Sequence, residues 1–240
     1  MTTTVTTTNP VRSDLDESRD AAAVSTAPRG WAFAGTGAAV AGVATIALSS
    51  GIDVVYRPEF EGTTQGVAAA LEDKAPLMFA FHSVTVIGAV LMIVFAAGLY
   101  RRLRTALPDS LVPIVAASGL VGTAVVSVLG SGLDTEFMMP IAQGGGVADD
   151  ATAAMYNHWV GTIPWLWTLA GLAGLGVYVA ARRGAAPRWL GRVGLVLGGL
   201  TVLLGISPLE YLSGVAGALW LLVTSLGLAF GDRRFRGAVR

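Results

Sequence analysis

Six apolar runs, at positions 31–50, 77–100, 111–133, 159–181, 189–206 and 211–230, alternate with short polar segments along this chain. Each is continuous rather than alternating, and at ~1.5 Å per residue its length suits a hydrocarbon layer of ~30 Å, so each predicts a membrane-spanning helix rather than a barrel strand. The expected fold class is therefore all-α, a six-transmembrane-helix bundle over residues 31–230. A polar tail, 1–30, precedes it, and a basic tail, 231–240, follows it. The first tail is rich in Thr, Ser, Asp and Ala, too polar to bury a core, and is expected to be disordered.

Patterns inside the runs say how the helices pack. In the first, Gly35, Ala38, Gly42, Thr45 and Ser49 share one side at helical spacing, and in the fifth Gly191, Gly194, Gly198, Thr201 and Gly205 do the same. Small faces let helix backbones approach closely in lipid, which predicts that the fifth span lies in the middle of the bundle. In the fourth, Pro164 frees the Val160 carbonyl and should bend the helix, opening an apolar pocket below His158. Trp165 and Trp167 beside it read either as pocket-lining residues or, more plainly, as interfacial anchors. The segment 51–76 should carry a short helix near 65–71, and the Asp149-Asp150 pair can cap a helix that runs into the fourth span. Gln143-Gly144-Gly145-Gly146 reads as a hinge, since neither a preceding strand nor a following Lys-Ser/Thr supports a phosphate cradle.

Charge then sets the threading. Of 16 basic residues, all but Arg57 and Lys74 fall in the two tails, after the second span or around the 182–192 turn, whereas Asp53, Glu59, Glu61, Glu72 and Asp73 crowd the first intervening segment. The positive-inside rule then puts both termini in the cytoplasm. With 13% charged residues, 53% hydrophobic residues and a mean hydropathy of +0.64, the chain cannot coat itself with polar surface, and the lipid bilayer must cover the deficit. A net charge of zero gives no electrostatic case for a nucleic-acid partner, and the lack of cysteine excludes disulfides, thiolate metal sites and cysteine nucleophiles. No cleavable leader is visible, so the first span is expected to act as its own insertion signal.

No Asp, Glu, Lys or Arg lies within any apolar core, which argues against an ion-driven carrier. Titratable groups gather instead at the expected outer rim: His82, His158, Asp134, Glu136 and Glu210, with Asn157 beside them. Two imidazoles and a carboxylate could hold Zn or Fe, with His82 and His158 as the metal ligands, or perform acid–base chemistry with Glu136 or Glu210; haem between the two histidines is the least expected use. The plainer reading has His82 hydrogen-bonded to a neighbouring helix and His158 wet at the interface, with no cofactor. Trp165, Trp167, Asn157 and Asp134 are the candidate ligand-binding residues.

An offset near 75 sets spans two and three over spans four and five, laying His82 on His158 and Gly119-Leu120-Val121 on Gly194-Leu195-Val196, the pattern of a parallel two-helix internal repeat. The strings HSVTVIGAVLMIVFAAGLYRRLR, YNHWVGTIPWLW and RWLGRVGLVLGGLTVLLGISPLEYLSG also resemble a family of uncharacterised six-helix membrane proteins common in actinobacteria. The resemblance covers residues 77–232 and implies a bacterial plasma-membrane location, without an activity or a site to carry over.

The expected function is that of a non-transporting integral membrane protein that binds a small apolar or amphipathic ligand, or a partner membrane subunit or second copy, at its outer half. The rivals are an integral membrane enzyme acting on a lipid or isoprenoid, and a small-molecule carrier.

Overall fold

The computed structural model describes residues 29–145 and 149–231. The expected tails therefore lie outside the described residues, apart from Arg29, Gly30 and Gly231, as does Gly146 of the glycine stretch. The architecture is helical throughout, with no strand among the described residues. Six helical stretches are long and apolar enough to cross a membrane: Gly30–Ile52, Ala75–Ala106, Val112–Ala142, Asp150–Arg182, Arg188–Gly205 and Leu212–Gly231. We call Gly30–Ile52 α1, Val67–Glu72 α2, Ala75–Ala106 α3, Val112–Gly130 α4, Asp134–Ala142 α5, Asp150–Thr162 α6, Ala170–Arg182 α7, Arg188–Val193 α8, Gly199–Gly205 α9 and Leu212–Leu226 α10.

Several of these helices outlast the bilayer. The 32 residues of α3 rise about 48 Å at ~1.5 Å each, well beyond a ~30 Å hydrocarbon layer. The surplus enters a packed cap. Ile52, Val54, Val67, Leu71, Met78, Phe81, Phe137, Met138, Tyr156 and Val160 form a second hydrophobic core there, separate from the core of the bundle. The two polar segments between spans carry the short helices their sequences predict, and they also pack on one another around a core of their own. Asp149 caps its own helix, accepting from the Ala151 and Thr152 amides, while Asp150 reaches across to accept from the Gly66 and Ala68 amides at the start of α2. Gly66, at φ 88°, supplies the left-handed turn that aims those amides.

Within the bundle, the small face of α1 is buried as its spacing predicts. Gly35 lies against Phe95, Gly42 against Trp167, and the Thr45 and Thr85 hydroxyls meet at 3.1 Å. Outward-facing Val40, Val43, Ile87, Val90, Ile114, Val125, Val196 and Leu203 form an apolar belt suited to lipid.

The fifth span departs from expectation. Its glycine face does pack closely, Gly194 and Gly198 against Gly171 and Gly174, and a π-helical turn at Gly194–Gly198 accommodates that approach. Yet only 28% of its apolar window is buried, the least of the six, whereas the sixth span is 67% buried. One bare face is enough for one tight contact; the remaining sides carry Leu195, Val196, Leu200 and Leu203 outward. The sixth span occupies the middle instead.

The fourth span is interrupted rather than bent. Helix α6 stops at Thr162, a 3₁₀ turn follows at Ile163–Trp165, and α7 restarts at Ala170. The 13 residues of α7 cover about 20 Å, so the interruption falls inside the apolar layer, where free backbone groups are costly. Ser213 of α10 answers this directly, donating through Oγ to the Trp165 carbonyl at 3.1 Å and accepting from the Trp167 amide at 3.2 Å. The Trp167 indole donates to the Pro164 carbonyl at 3.1 Å. Glycines of two helices, α4 and α10, close around the break: Gly130 meets Ile163, Gly214 meets the Trp165 backbone, and Gly217 meets Trp167. By contrast α3, which the internal alignment pairs with this span, runs unbroken.

Candidate functional site

Of the titratable residues singled out in the sequence, His82 and Asp134 lie on one side of α6 and His158 on the other. Tyr156 and His158 are two positions apart, which on a helix is a rotation of about 200°, and each side has its own partners.

On the Tyr156 side, His82 of α3 places Nδ1 3.2 Å from the Ser131 carbonyl oxygen and 3.5 Å from Asp134 Oδ2. With two acceptors facing it, that nitrogen carries the proton, and Nε2 is the open position of the ring. Tyr156 donates to Asp134 Oδ1 at 3.0 Å, and Phe137 stacks on the Tyr156 ring at 4.1 Å. Asp134 is fully buried, not at a wet rim as its place after an apolar run suggests, because it opens α5, whose Phe137 and Met138 pack into the cap core. Its Oδ2 has no hydrogen-bond partner. The result is a buried carboxyl between a phenol and a partly exposed imidazole.

On the other side, His158 Nδ1 lies 3.3 Å from the Tyr56 hydroxyl, and the two rings meet edge to face. The two histidines thus take separate partners. Among the described residues no three or more His, Asp or Glu side chains converge as metal ligands. Glu136 points outward and Glu210 is half-buried; neither joins His82 or His158 in an ion pair. Asn157, a candidate ligand-binding residue, is instead a structural clip. Fully buried, it accepts from the Val54 and Val55 amides at 2.8 and 3.0 Å and donates to the Ile52 carbonyl at 3.1 Å, closing the end of α1.

Beside His158 and Tyr56, where the cap meets the broken span, opens a cleft of about 320 Å³ lined by Ser49, Ser50, Asp53, Tyr56, Gly161, Trp165 and Tyr211. Each wall has a local cause. Asp53 ends α1, its amide donating to the Ser49 carbonyl, between the residues on either side that Asn157 ties. Trp165 is turned into the cleft by the 3₁₀ turn and fixed there by donating to Ser49 Oγ at 3.2 Å. Gly161 keeps α6 low enough for Asp53 to lie over it, since a methyl group there would stand 3.1 Å from Asp53 Oδ2. Tyr56 of the cap and Tyr211 at the start of the sixth span wall the same cleft. The Asp53 carboxyl is held above its ordinary range by burial, partly offset by nearby His158 and Arg57, and its Oδ1 is buried without a hydrogen-bond partner. Tyr56 also walls a wider, more polar groove of about 850 Å³ along residues 55–64.

Trp167, paired with Trp165 in the sequence, does not reach the cleft. It is 3% exposed and fills the middle of the bundle between Gly42 and Gly217. Asp53, Tyr56 and Tyr211 are the cleft residues that sequence reasoning missed; an acid followed three positions later by a tyrosine, Asp53 and Tyr56, just past a span end is the one local signal that could have raised them.

No family model, no curated relative and no solved structure matches this chain.

Proposed function

We propose that this integral membrane protein binds a small amphipathic ligand carrying a positive charge in the cleft between cap and bundle. The observation that carries this reading is the Asp53 carboxyl, whose Oδ1 lacks a hydrogen bond at the wall of a cleft shared with Trp165, Tyr56 and Tyr211. A carboxylate oxygen buried without a hydrogen bond is costly, and a cation beside the carboxylate offsets that cost, while aromatic faces attract cations and accept an apolar body. An alkylammonium head would sit at Asp53 with its chain passing Trp165 toward the apolar belt. In the cell, the arginine excess at the end opposite the cap supports a bacterial plasma-membrane protein with both termini cytoplasmic and the cleft opening outside.

Calorimetry on the protein in nanodiscs tests it with decyltrimethylammonium, its uncharged carbon isostere and decyl sulfate. The cation should bind tightest, and Asp53→Asn should weaken it by up to about 3 kcal/mol, the scale of two unit charges ~5 Å apart at an effective dielectric of ~20, while leaving the isostere unaffected. Equal binding of all three, or indifference to Asp53→Asn, refutes the assignment.

A second reading rests on the His82–Asp134–Tyr156 cluster. Its partly exposed imidazole backed by a buried carboxyl is an arrangement that acid–base chemistry on a lipid or isoprenoid would use. It predicts that His82→Gln abolishes turnover of such a substrate without lowering stability; unfolding in the variant with no activity to lose would assign the cluster to structure.

A further inference from the structure

At the far end of the bundle, where α7 turns into α8, lies a cleft of about 540 Å³ with three guanidinium groups in its wall, Arg182, Arg188 and Arg192. Arg188 and Arg192 are one helical turn apart on α8, so they share a face, and Arg182 closes the end of α7 opposite them. The turn between the helices is fixed from outside, by Arg102 of α3 donating to the Ala185 carbonyl at 2.9 Å, and the helices touch where Gly191 meets Ala181. The cleft is therefore a feature of the packed bundle. No carboxylate lines it, and among the described residues none of the three arginines is in an ion pair. Three exposed like charges around one cleft give it a positive potential that favours an anion there. The remaining wall is Tyr178, Ala181 and Leu195, and beyond Leu195 the outward Val196 and Leu200 continue the apolar belt.

We infer that this cleft is a binding site for the phosphodiester headgroup of an anionic phospholipid drawn from the leaflet on which it opens. The charge fits a phosphate, with the planar guanidinium fork giving paired hydrogen bonds to its oxygens. Continuity between the cleft and the lipid-facing side of the fifth span fits acyl chains, and basic pockets between helices at a membrane face take such headgroups. Trp189, half-exposed on the same helix, sits at the depth where indoles favour the headgroup region. The span least buried by protein is then the one steadied by a bound lipid. This inference does not depend on the ligand proposed for the opposite end.

Native mass spectrometry of the delipidated full chain with dioleoyl phosphatidylglycerol, dioleoyl phosphatidylcholine and inorganic phosphate tests it. Each arginine that reaches a bound headgroup should contribute about a fivefold preference for anionic lipid. Removing all three, as Arg182→Gln with Arg188→Gln and Arg192→Gln, should thus cost roughly a hundredfold in phosphatidylglycerol affinity, to the level of phosphatidylcholine. Arg104→Gln, at the same end but outside the cleft, should leave the preference intact. If the triple variant does not fold, each single variant should still show its own loss of about fivefold. Equal binding of the two lipids, retention of the preference in the variants, an equal loss in Arg104→Gln, or full competition by inorganic phosphate at concentrations matching the lipid would each overturn the assignment, the last in favour of a free-phosphate site.

Discussion

Replacing Ser213 with Ala removes one oxygen atom from the centre of the bundle and tests how the interrupted fourth span is held. That oxygen donates to the Trp165 carbonyl at 3.1 Å and accepts from the Trp167 amide at 3.2 Å, and the residue is fully buried. Two orphaned buried backbone groups would cost about 1–3 kcal/mol each. The Trp167 amide, however, keeps a bond of 3.0 Å to the Trp165 carbonyl, so neither group is left bare. Side-chain hydrogen bonds between membrane helices are worth about 0.6 kcal/mol each on average and up to ~1.7. Two of them set the expected loss at about 1–2 kcal/mol, read by reversible unfolding in mixed micelles. Ser127→Ala is the matched control: its hydroxyl donates only to the Thr123 carbonyl one turn back in the same helix, so its loss should stay within about 0.5 kcal/mol. Hydrogen exchange at the Trp167 amide should quicken in Ser213→Ala alone. Equal stability of the two variants, or a Ser213→Ala loss below about 0.5 kcal/mol, would refute the claim that the sixth span clips the break.

Other changes probe other parts of the account. Tyr156→Phe removes the donor to Asp134 Oδ1 and should destabilise by about 1–3 kcal/mol, a loss that shrinks in an Asp134→Asn background if the two act through one bond; additive losses would say otherwise. Gly174→Ala would put a methyl group 2.7 Å from Gly198 Cα and should cost about 1–3 kcal/mol, whereas Gly199→Ala meets nothing closer than Leu175 at 3.9 Å and should be neutral or gain a few tenths by helix propensity. Asp53 titrates above its ordinary 3.8 because burial disfavours its charge. The folded state therefore holds that proton more tightly. Its stabilising contribution is complete below 3.8 and is lost as pH rises through the folded value. Wild type should lose thermal stability relative to Asp53→Asn across that window, and a relative gain would reverse the assigned cause.

The membrane-spanning helices were legible because lipid imposes one rule on every residue it touches, and that rule is local. Long uncharged runs, the Gly35 to Ser49 face and the Asp149 cap can each be read from neighbours a turn or two away. The cap was not legible, because its core is assembled across the chain. Asp150 meets α2 more than eighty positions earlier, and Asn157 meets the end of α1 more than a hundred positions earlier. Segments that look polar on average bury Val54, Val67, Phe137 and Tyr156 against one another. The same nonlocality explains the candidate site. His82 and His158 share a depth in the sequence, but depth does not choose a side of α6. The spacing of Tyr156 and His158 carried that information, since two positions along a helix point almost opposite ways. A proline near a span end announced a distortion, yet whether the helix bends or stops depended on Ser213 and the surrounding glycines, nearly fifty residues away in the sequence and in contact only once the chain has folded.

The most direct test of the cleft is photolabelling of the protein in bilayers with an alkyltrimethylammonium bearing a diazirine on its first methylenes, followed by mapping of the adducts. The account predicts adducts concentrated on Trp165, Tyr56 and Tyr211 that disappear in Asp53→Asn and on competition with the unlabelled cation. Adducts spread evenly along the outward valines and leucines, indifferent to Asp53, would contradict it.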